Sequence, residues 1–354
     1  MSVDWLPSRF AGVDGTTGTL AAAGVVLALL SLGFLFSSFV VTVPNASVVF
    51  LELAITWAIY GLLVLGLNVQ YGYTGLINFG HLVFFLVGGY AFGFVTASGQ
   101  AVGTGLGLHW LPGVVAALVA AAVLGTIIGA TTLRLRGDFL AVVTVAALEV
   151  GLELVESFSE ITGGTVGLYG LPRLVHAESG NPDTALLVTF VALLGLLLVV
   201  YAGITRLVES PYGRVLKAIR SDELVAQSLA KPTFRYKLQV FVYGSVLAGL
   251  AGALMAIYFG AVAPAFFSID TTVIIWIGML LGGAGNNRAV LAGMALILGI
   301  ELGTRFLNEF VTGLVADAQF GAVRMIIIGL ILIVVIRYRP AGIWGDEDEM
   351  EGLG

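Results

Sequence analysis

The run LLVTFVALLGLLLVVYAGI, residues 186–204, has no polar side at a period of two or of 3.6 residues. A soluble helix of that length keeps a polar stripe, and a barrel strand alternates apolar with polar, so this segment belongs across a bilayer as a helix. Apolar runs of about 17 to 25 residues are long enough to cross. Ten are read, at 20–43, 48–67, 79–97, 112–132, 139–156, 184–204, 238–260, 269–285, 290–305 and 321–336. Composition agrees: 58% of the 354 residues are hydrophobic and 11% charged, against about 25% charged in an ordinary soluble domain. No soluble core could bury so much apolar surface. The expected fold is therefore an all-α polytopic membrane protein of about ten transmembrane helices, one domain over 1–354. Its 48 glycines suit helices whose backbones approach closely.

Lys and Arg in short loops report the cytoplasmic side of a membrane. With the N-terminus inside, ten spans place Arg134, Arg136, the insert Glu209–Lys237, Arg288, Arg337 and Arg339 on one face. The opposite face receives Arg173 beside Glu156, Glu160, Glu178 and Asp183. A miscount by one span would scramble this segregation. The reading is a multi-pass protein of the cell (plasma or inner) membrane with both termini cytoplasmic. It has an N-terminal segment 1–19, an insert at 205–237 and an acidic tail at 340–354. Residues 1–19 lack the basic start and small-residue cleavage site of a signal peptide, so the first span is expected to stay in the mature protein.

The insert is the oddity. Seven of the 16 basic residues, Arg206, Arg214, Lys217, Arg220, Lys231, Arg235 and Lys237, lie in it or just before it. Ser210-Pro211 is a helix-start signature, and Pro232 marks a stop. Between them Tyr212, Val215, Leu216 and Ile219 share one face at helical spacing, with Arg214, Lys217 and Arg220 on the other. Ser221-Asp222-Glu223 can cap a second short helix carrying Leu224, Val225 and Leu229. A basic anchor between two spans accounts for the charges. It does not account for two capped amphipathic turns, which suggest a docking surface for a soluble partner.

Other polar residues offer candidate sites. NVQYGYTGLINFGH holds Asn68, Gln70, Tyr71, Tyr73, Thr74, Asn78 and His81, with Gly72 and Gly75 able to break a helix. A broken helix exposes N–H groups that hold a carboxylate and C=O groups that hold an ammonium. That makes Asn68, Gln70, Tyr73, Thr74, Asn78 and His81 a candidate substrate path, although an ordinary polar turn at the inner face explains the same residues. Glu149 and Glu153 stand one turn apart, with Glu156 and Glu160 following; they could line a cation-attracting path or frame the outer end of a span. Gly244, Ala248 and Gly252, and the pairs Gly125/Gly129, Gly278/Gly282 and Gly299/Gly303, serve either internal packing or contact with a second membrane subunit. None of the three lysines follows a glycine, so the chain has no phosphate-binding loop, and any ATP must be hydrolysed by another polypeptide. With no Cys there is neither a disulfide framework nor a thiolate metal site. No metal site, resident cofactor or nucleic-acid partner is expected. Nor does any GxSxG or HExxH setting suggest an intramembrane enzyme.

SPYGRVLKAIRSDELVAQSLAKPTFRYKLQVFVYGSVLAGLAGAL, from Ser210, resembles the cytoplasmic loop of permeases in branched-chain amino acid ABC importers. YGYTGLINFGHLVFFLVGGYAFG at 71–93, LRLRGDFLAVVTV at 133–145, TGGTVGLYGLP at 162–172, LGGAGN at 281–286 and RPAGIWG at 339–345 agree in order and spacing. The arginine-rich turn at 133–136 is similar to LivM-type rather than LivH-type permeases. The resemblance implies that Arg214, Ala218, Arg220, Asp222, Glu223 and Ala226 occupy positions that couple the spans to an ATPase subunit. Charge reversal at Asp222 and Glu223 is then expected to uncouple transport from hydrolysis. It implies partners as well: a second, LivH-type permease, two ATP-binding subunits that hold the ATP, a solute-binding protein outside, and the lipid bilayer around. Thr162, Gly163, Gly164 and Gly167 become a candidate contact for that binding protein. One departure stands out, because the family usually has Gly where this chain has Ala230, ahead of Lys231-Pro232. The implied substrate is a branched-chain or other neutral amino acid. Urea or short amides, and an ion-coupled transporter working through Glu149 and Glu153, are the alternatives.

Overall fold

The computed structural model describes residues 46–98, 105–134, 137–173 and 182–311, with isolated positions from 326 to 345. The first predicted span, 20–43, lies outside the described residues, and the last, 321–336, is described only at single helical positions. In between, every predicted span finds a helix. We number them α1 Ala46–Leu67, α2 His81–Thr96, α3 Trp110–Thr132, α4 Gly137–Ser157, α5 Ser159–Thr162, α6 Pro182–Glu209, α7 Pro211–Ser221, α8 Glu223–Ser228, α9 Thr233–Phe259, α10 Ile269–Gly282 and α11 Asn287–Val311. A π-helical turn, Asn68–Gly72, continues α1, and a 3-10 turn, Pro264–Phe267, precedes α10. Two short strands, β1 Leu168–Tyr169 and β2 Ala261–Val262, pair antiparallel with Leu168 opposite Val262.

Among the described residues, five segments are long and apolar enough to cross a membrane: Val48–Gly72, Trp110–Thr132, Thr184–Glu209, Thr233–Phe259 and Pro264–Gly282. At 16 residues α2 is shorter, while α4 and α11 are diluted by charges such as Glu149, Glu153, Arg288 and Glu301. The chain is thus a mostly helical membrane protein.

α9 is the axis of the bundle, packed by α1, α2 and α3. Phe84 and Phe85 of α2 are fully buried there; Phe84 meets Phe241 of α9 edge-on at 5.7 Å, and Phe85 meets Phe267 at 4.8 Å. α3 reverses the pattern of a soluble helix. Its small residues Gly113, Ala117, Ala121, Gly125 and Gly129 face inward at every fourth position, while Val115, Val119, Val123 and Ile127 face out. Lipid is as apolar as valine, so burying large side chains gains little, and helices associate through close backbone contact instead. Gly88 of α2 and Gly249 of α9 touch backbone to backbone, and Gly252 lies against the Phe85 carbonyl. Gly125 and Gly129 pack on Ser245, Leu238 and Phe241, and Gly278 and Gly282 on Met294 and Ala289. These strings, with Gly244 against Gly66 and Gln70, serve packing inside the chain. Gly299 has no such neighbour among the described residues, and the side-chain surroundings of Gly303 are not described.

Candidate functional site

The insert forms a two-helix hairpin built from its caps. Ser210 Oγ accepts the Tyr212 amide at 3.2 Å, and Pro211 sits in the first turn of α7. Asp222 ends one helix and starts the next. Its amide donates to the Ala218 carbonyl at 3.0 Å, while its Oδ1 accepts the amides of Leu224 and Val225 at 2.8 and 3.1 Å. Its backbone is extended there, which turns α8 away from α7. α7 buries Gly213, Leu216 and Ile219 against the bundle and leaves Arg214, Lys217, Ala218 and Ser221 outward. Leu224, Val225 and Leu229 are exposed at 73%, 55% and 68%, so the hairpin presents an apolar tip beside a basic face. Ala226 is buried, and Glu223 is ion-paired with Lys237 of α9. Tyr212 packs on Tyr236 with the rings tilted by 40° and 5.2 Å apart; burial, with Tyr236 a lesser cause, pushes its hydroxyl up to about 12.

α8 ends in a Schellman turn: the Ala230 amide donates to the Gln227 carbonyl at 2.9 Å and the Lys231 amide to the Ala226 carbonyl at 3.2 Å. The residue at its pivot must be left-handed, and Ala230 has φ 55°, the sole positive φ outside glycine among the described residues. The turn therefore keeps the geometry that glycine would favour, with Pro232 following as the stop.

Directly above the hairpin, the polar run after α1 closes into a buried knot. Asn68, Gln70, Thr74, Asn78 and His81 are at most 4% exposed. Asn68 Nδ2 donates to Asn287 Oδ1 at 3.0 Å, and its Oδ1 accepts the Gly285 amide at 2.8 Å. Tyr73 donates to the same Asn287 oxygen at 3.1 Å, and Asn287 Nδ2 donates to Thr205 of α6 at 3.3 Å. Gln70 Nε2 reaches the Phe241 carbonyl of α9 at 2.8 Å, and its Oε1 accepts Asn78 Nδ2 at 2.9 Å. Thr74 bonds back to the Gln70 carbonyl. Gly72 has to be glycine, because a Cβ there would strike both Asn68 Oδ1 and the Gly285 amide. Each bond matters in an interior this apolar, where a buried polar group left without a partner costs roughly 1–3 kcal/mol. Asn78 Oδ1 is the unmet atom of the amide set, and the His81 ring nitrogens make no hydrogen bond of ordinary geometry among the described residues.

The knot gathers five of the six predicted path residues with Thr205, Gly285 and Asn287, which sequence reasoning did not single out; His81 packs nearby against Gly66. The six hairpin residues fall into two groups. Arg214, Ala218 and Asp222 face out, whereas Arg220, Glu223 and Ala226 are partly or fully buried.

The TGGTVGLYGLP loop lies at the other end of α9, about 40 Å of helix away for its 27 residues. Thr162 Oγ1 accepts the Gly164 amide at 3.3 Å, the Gly167 amide donates to the Gly163 carbonyl at 3.2 Å, and β1 then pairs with β2. Gly163, Gly164 and Gly167 all have positive φ, so they shape the loop. The side chains they present are Val166, 71% exposed, and Tyr169, 51% exposed. Glu149, Glu153, Glu156 and Glu160 line an outward side of α4 and α5.

The family model for the branched-chain amino acid transport system permease component matches residues 49–336. The chain belongs to this family. It is 34% identical over 314 residues to the high-affinity branched-chain amino acid transport system permease protein LivM of Escherichia coli K12, covering 82% of this chain and 69% of that one. The probable branched-chain amino acid transport permease protein LivM of Methanocaldococcus jannaschii is 26% identical, with 84% and 94% covered. The LivH permease protein of Escherichia coli K12 is 26% identical, with 81% and 91% covered. No solved structure matches. The matched range takes in the hairpin, the knot and the distal loop alike, so all three candidate sites lie within the family's own domain.

Proposed function

We propose that the chain is the membrane-spanning permease subunit of an ABC importer, moving branched-chain or other neutral amino acids by alternating access driven by partner ATPase subunits. The observation that carries this is the capped hairpin α7–α8, an exposed apolar tip beside a basic face, in a chain of the permease family. A short helix with Leu224 and Val225 uncovered fits a groove on a soluble partner. On this reading ten spans cross the membrane, and the hairpin and both termini face the cytoplasm. The two ATP-binding subunits hold the ATP, a LivH-type permease completes the channel, and the distal loop around Val166 and Tyr169 meets a solute-binding protein. The substrate passes beside the knot, where Asn78 Oδ1 keeps hydrogen-bonding capacity that Asn68, Gln70, Tyr73 and Thr74 have spent within the chain.

Charge reversal at Asp222 and Glu223 is a poor test, because it would also remove the α8 cap and the Lys237 ion pair. Leu224→Asp with Val225→Asp alters the tip alone. The complex of this chain with its second permease, ATPase subunits and binding protein should take up leucine in proteoliposomes at the expense of ATP. The doubly substituted chain should fold and reach the membrane but release the ATPase subunits on purification. Retention of those subunits with undiminished uptake would refute the docking role. Uptake by this chain alone under an ion gradient would favour a secondary transporter, and a cognate binding protein that binds urea would replace the amino acid as substrate.

A further inference from the structure

The hairpin is joined to the bundle covalently through α6 and α9, but a second connection runs through a side chain. Arg220, in the last turn of α7, turns away from the outward face and donates from its guanidinium to the Gly72 carbonyl, 148 residues away. That carbonyl is free for a reason. The helix ends here: Gly75 turns left-handed at φ 71°, its amide keeps the ordinary partner four residues back, Tyr71 at 2.9 Å, and the Leu76 amide reaches back to the Gln70 carbonyl at 3.1 Å instead of to Gly72, so Gly72 is left as a last-turn acceptor. Gly72 in turn sits against Asn68 and the Gly285 amide, and Asn68 holds Gly285 and Asn287. The chain of contacts therefore runs from α7 through the π turn into the α10–α11 junction, and through Asn287 to Thr205 of α6.

We propose that Arg220 is a positioning residue: a strut that makes the π turn and the start of α11 travel with the hairpin, so that force reaches helices the hairpin does not adjoin in sequence. This rests on the proposed importer function. A guanidinium suits the task, because it keeps its charge at any working pH and its planar fork fixes the direction of the bond better than an ammonium does. The helix end supplies the other half, a last-turn carbonyl left without an intrahelical partner.

The test uses the complete complex in proteoliposomes, with Arg220→Gln and Arg220→Lys. For Arg220→Gln, the readout is the ratio of leucine uptake to ATP hydrolysis stimulated by loaded binding protein. Leucine uptake per ATP hydrolysed should fall about tenfold or more, the factor set by one lost charge-assisted hydrogen bond; Arg220→Lys should recover part of it. The chain contains no cysteine, so spin labels can be placed freely at Ser228→Cys and Arg288→Cys. With the strut intact, their separation should not change on ATP binding; with Arg220→Gln it should become ATP-dependent. An unchanged ratio of uptake to hydrolysis in Arg220→Gln overturns the proposal, as does a label separation that responds to ATP equally with and without the arginine. If hydrolysis falls in step with uptake, Arg220 serves ATPase docking and the strut is likewise overturned. A parent complex that hydrolyses ATP without importing leucine would strike the substrate reading alone, and the label separation would still decide the strut.

Discussion

Replacing Ala230 with glycine should tighten the hairpin. Ala230 is the pivot of the Schellman turn, at φ 55°. A left-handed L-residue costs about 1–2 kcal/mol relative to its right-handed form, and glycine is free of that cost. Against this stands the greater freedom glycine has in the unfolded chain, worth about 0.4–1 kcal/mol. The Ala230 side chain is exposed, so its loss removes little packing. The balance is a gain of about 0.5–1 kcal/mol, confined to α8 and its exit. Hydrogen exchange measures it directly. The amides of Ala230 and Lys231, which close the turn on Gln227 and Ala226, should exchange about two- to fivefold more slowly in Ala230→Gly, at about 1.4 kcal/mol per factor of ten. Ala230→Val should speed exchange at those sites, since a β-branched residue tolerates positive φ least. Amides at the far end of α9 should not respond to either change. Exchange in Ala230→Gly as fast as in the parent would mean that the left-handed turn is not occupied in solution, and the strain assigned to Ala230 would be withdrawn.

The close α2–α9 seam should be intolerant of bulk. Gly252→Leu would drive a side chain into the Phe85 carbonyl; overpacking of this kind costs about 1–3 kcal/mol or more, so the yield of monodisperse protein in detergent should collapse, while Gly203→Leu, whose Cβ would meet no neighbour beyond its own helix within 4 Å among the described residues, should behave as the parent. The Tyr212 hydroxyl, raised by burial from 10.0 to about 12, favours the folded hairpin only while neutral. Its contribution is therefore intact below pH 10 and lost as pH rises through 12; exchange at α7 amides should accelerate across that window, and less so in Tyr212→Phe.

The hairpin was legible in sequence because its determinants are local. Ser210 and Asp222 act on amides two or three residues away and Pro211 opens the first turn, so residue type and spacing carry the whole instruction. The glycine strings were legible as close contacts but not as to which contacts, since a missing side chain names no partner; that Gly252 meets Phe85 is a property of the assembled bundle. The polar run shows the limit most clearly. As a string, Asn68 to His81 looks like groups set out for a passing zwitterion. In the fold Gln70 spends its donor on a carbonyl 171 residues away and Asn68 spends its own on a side chain 219 residues away. A buried amide in an apolar bundle has to be satisfied by something, and sequence cannot distinguish a substrate from another helix as the something. What separates the two is the remainder: polar atoms that close on the protein itself serve the tie between helices, and on the proposed importer reading those left over among the described residues, Asn78 Oδ1 first among them, are the candidates for substrate contact. The same accounting explains why Arg220 escaped notice as a strut. Its role lies in a bond to the Gly72 carbonyl, a last-turn acceptor whose donor, 148 residues on, only the assembled fold brings to it.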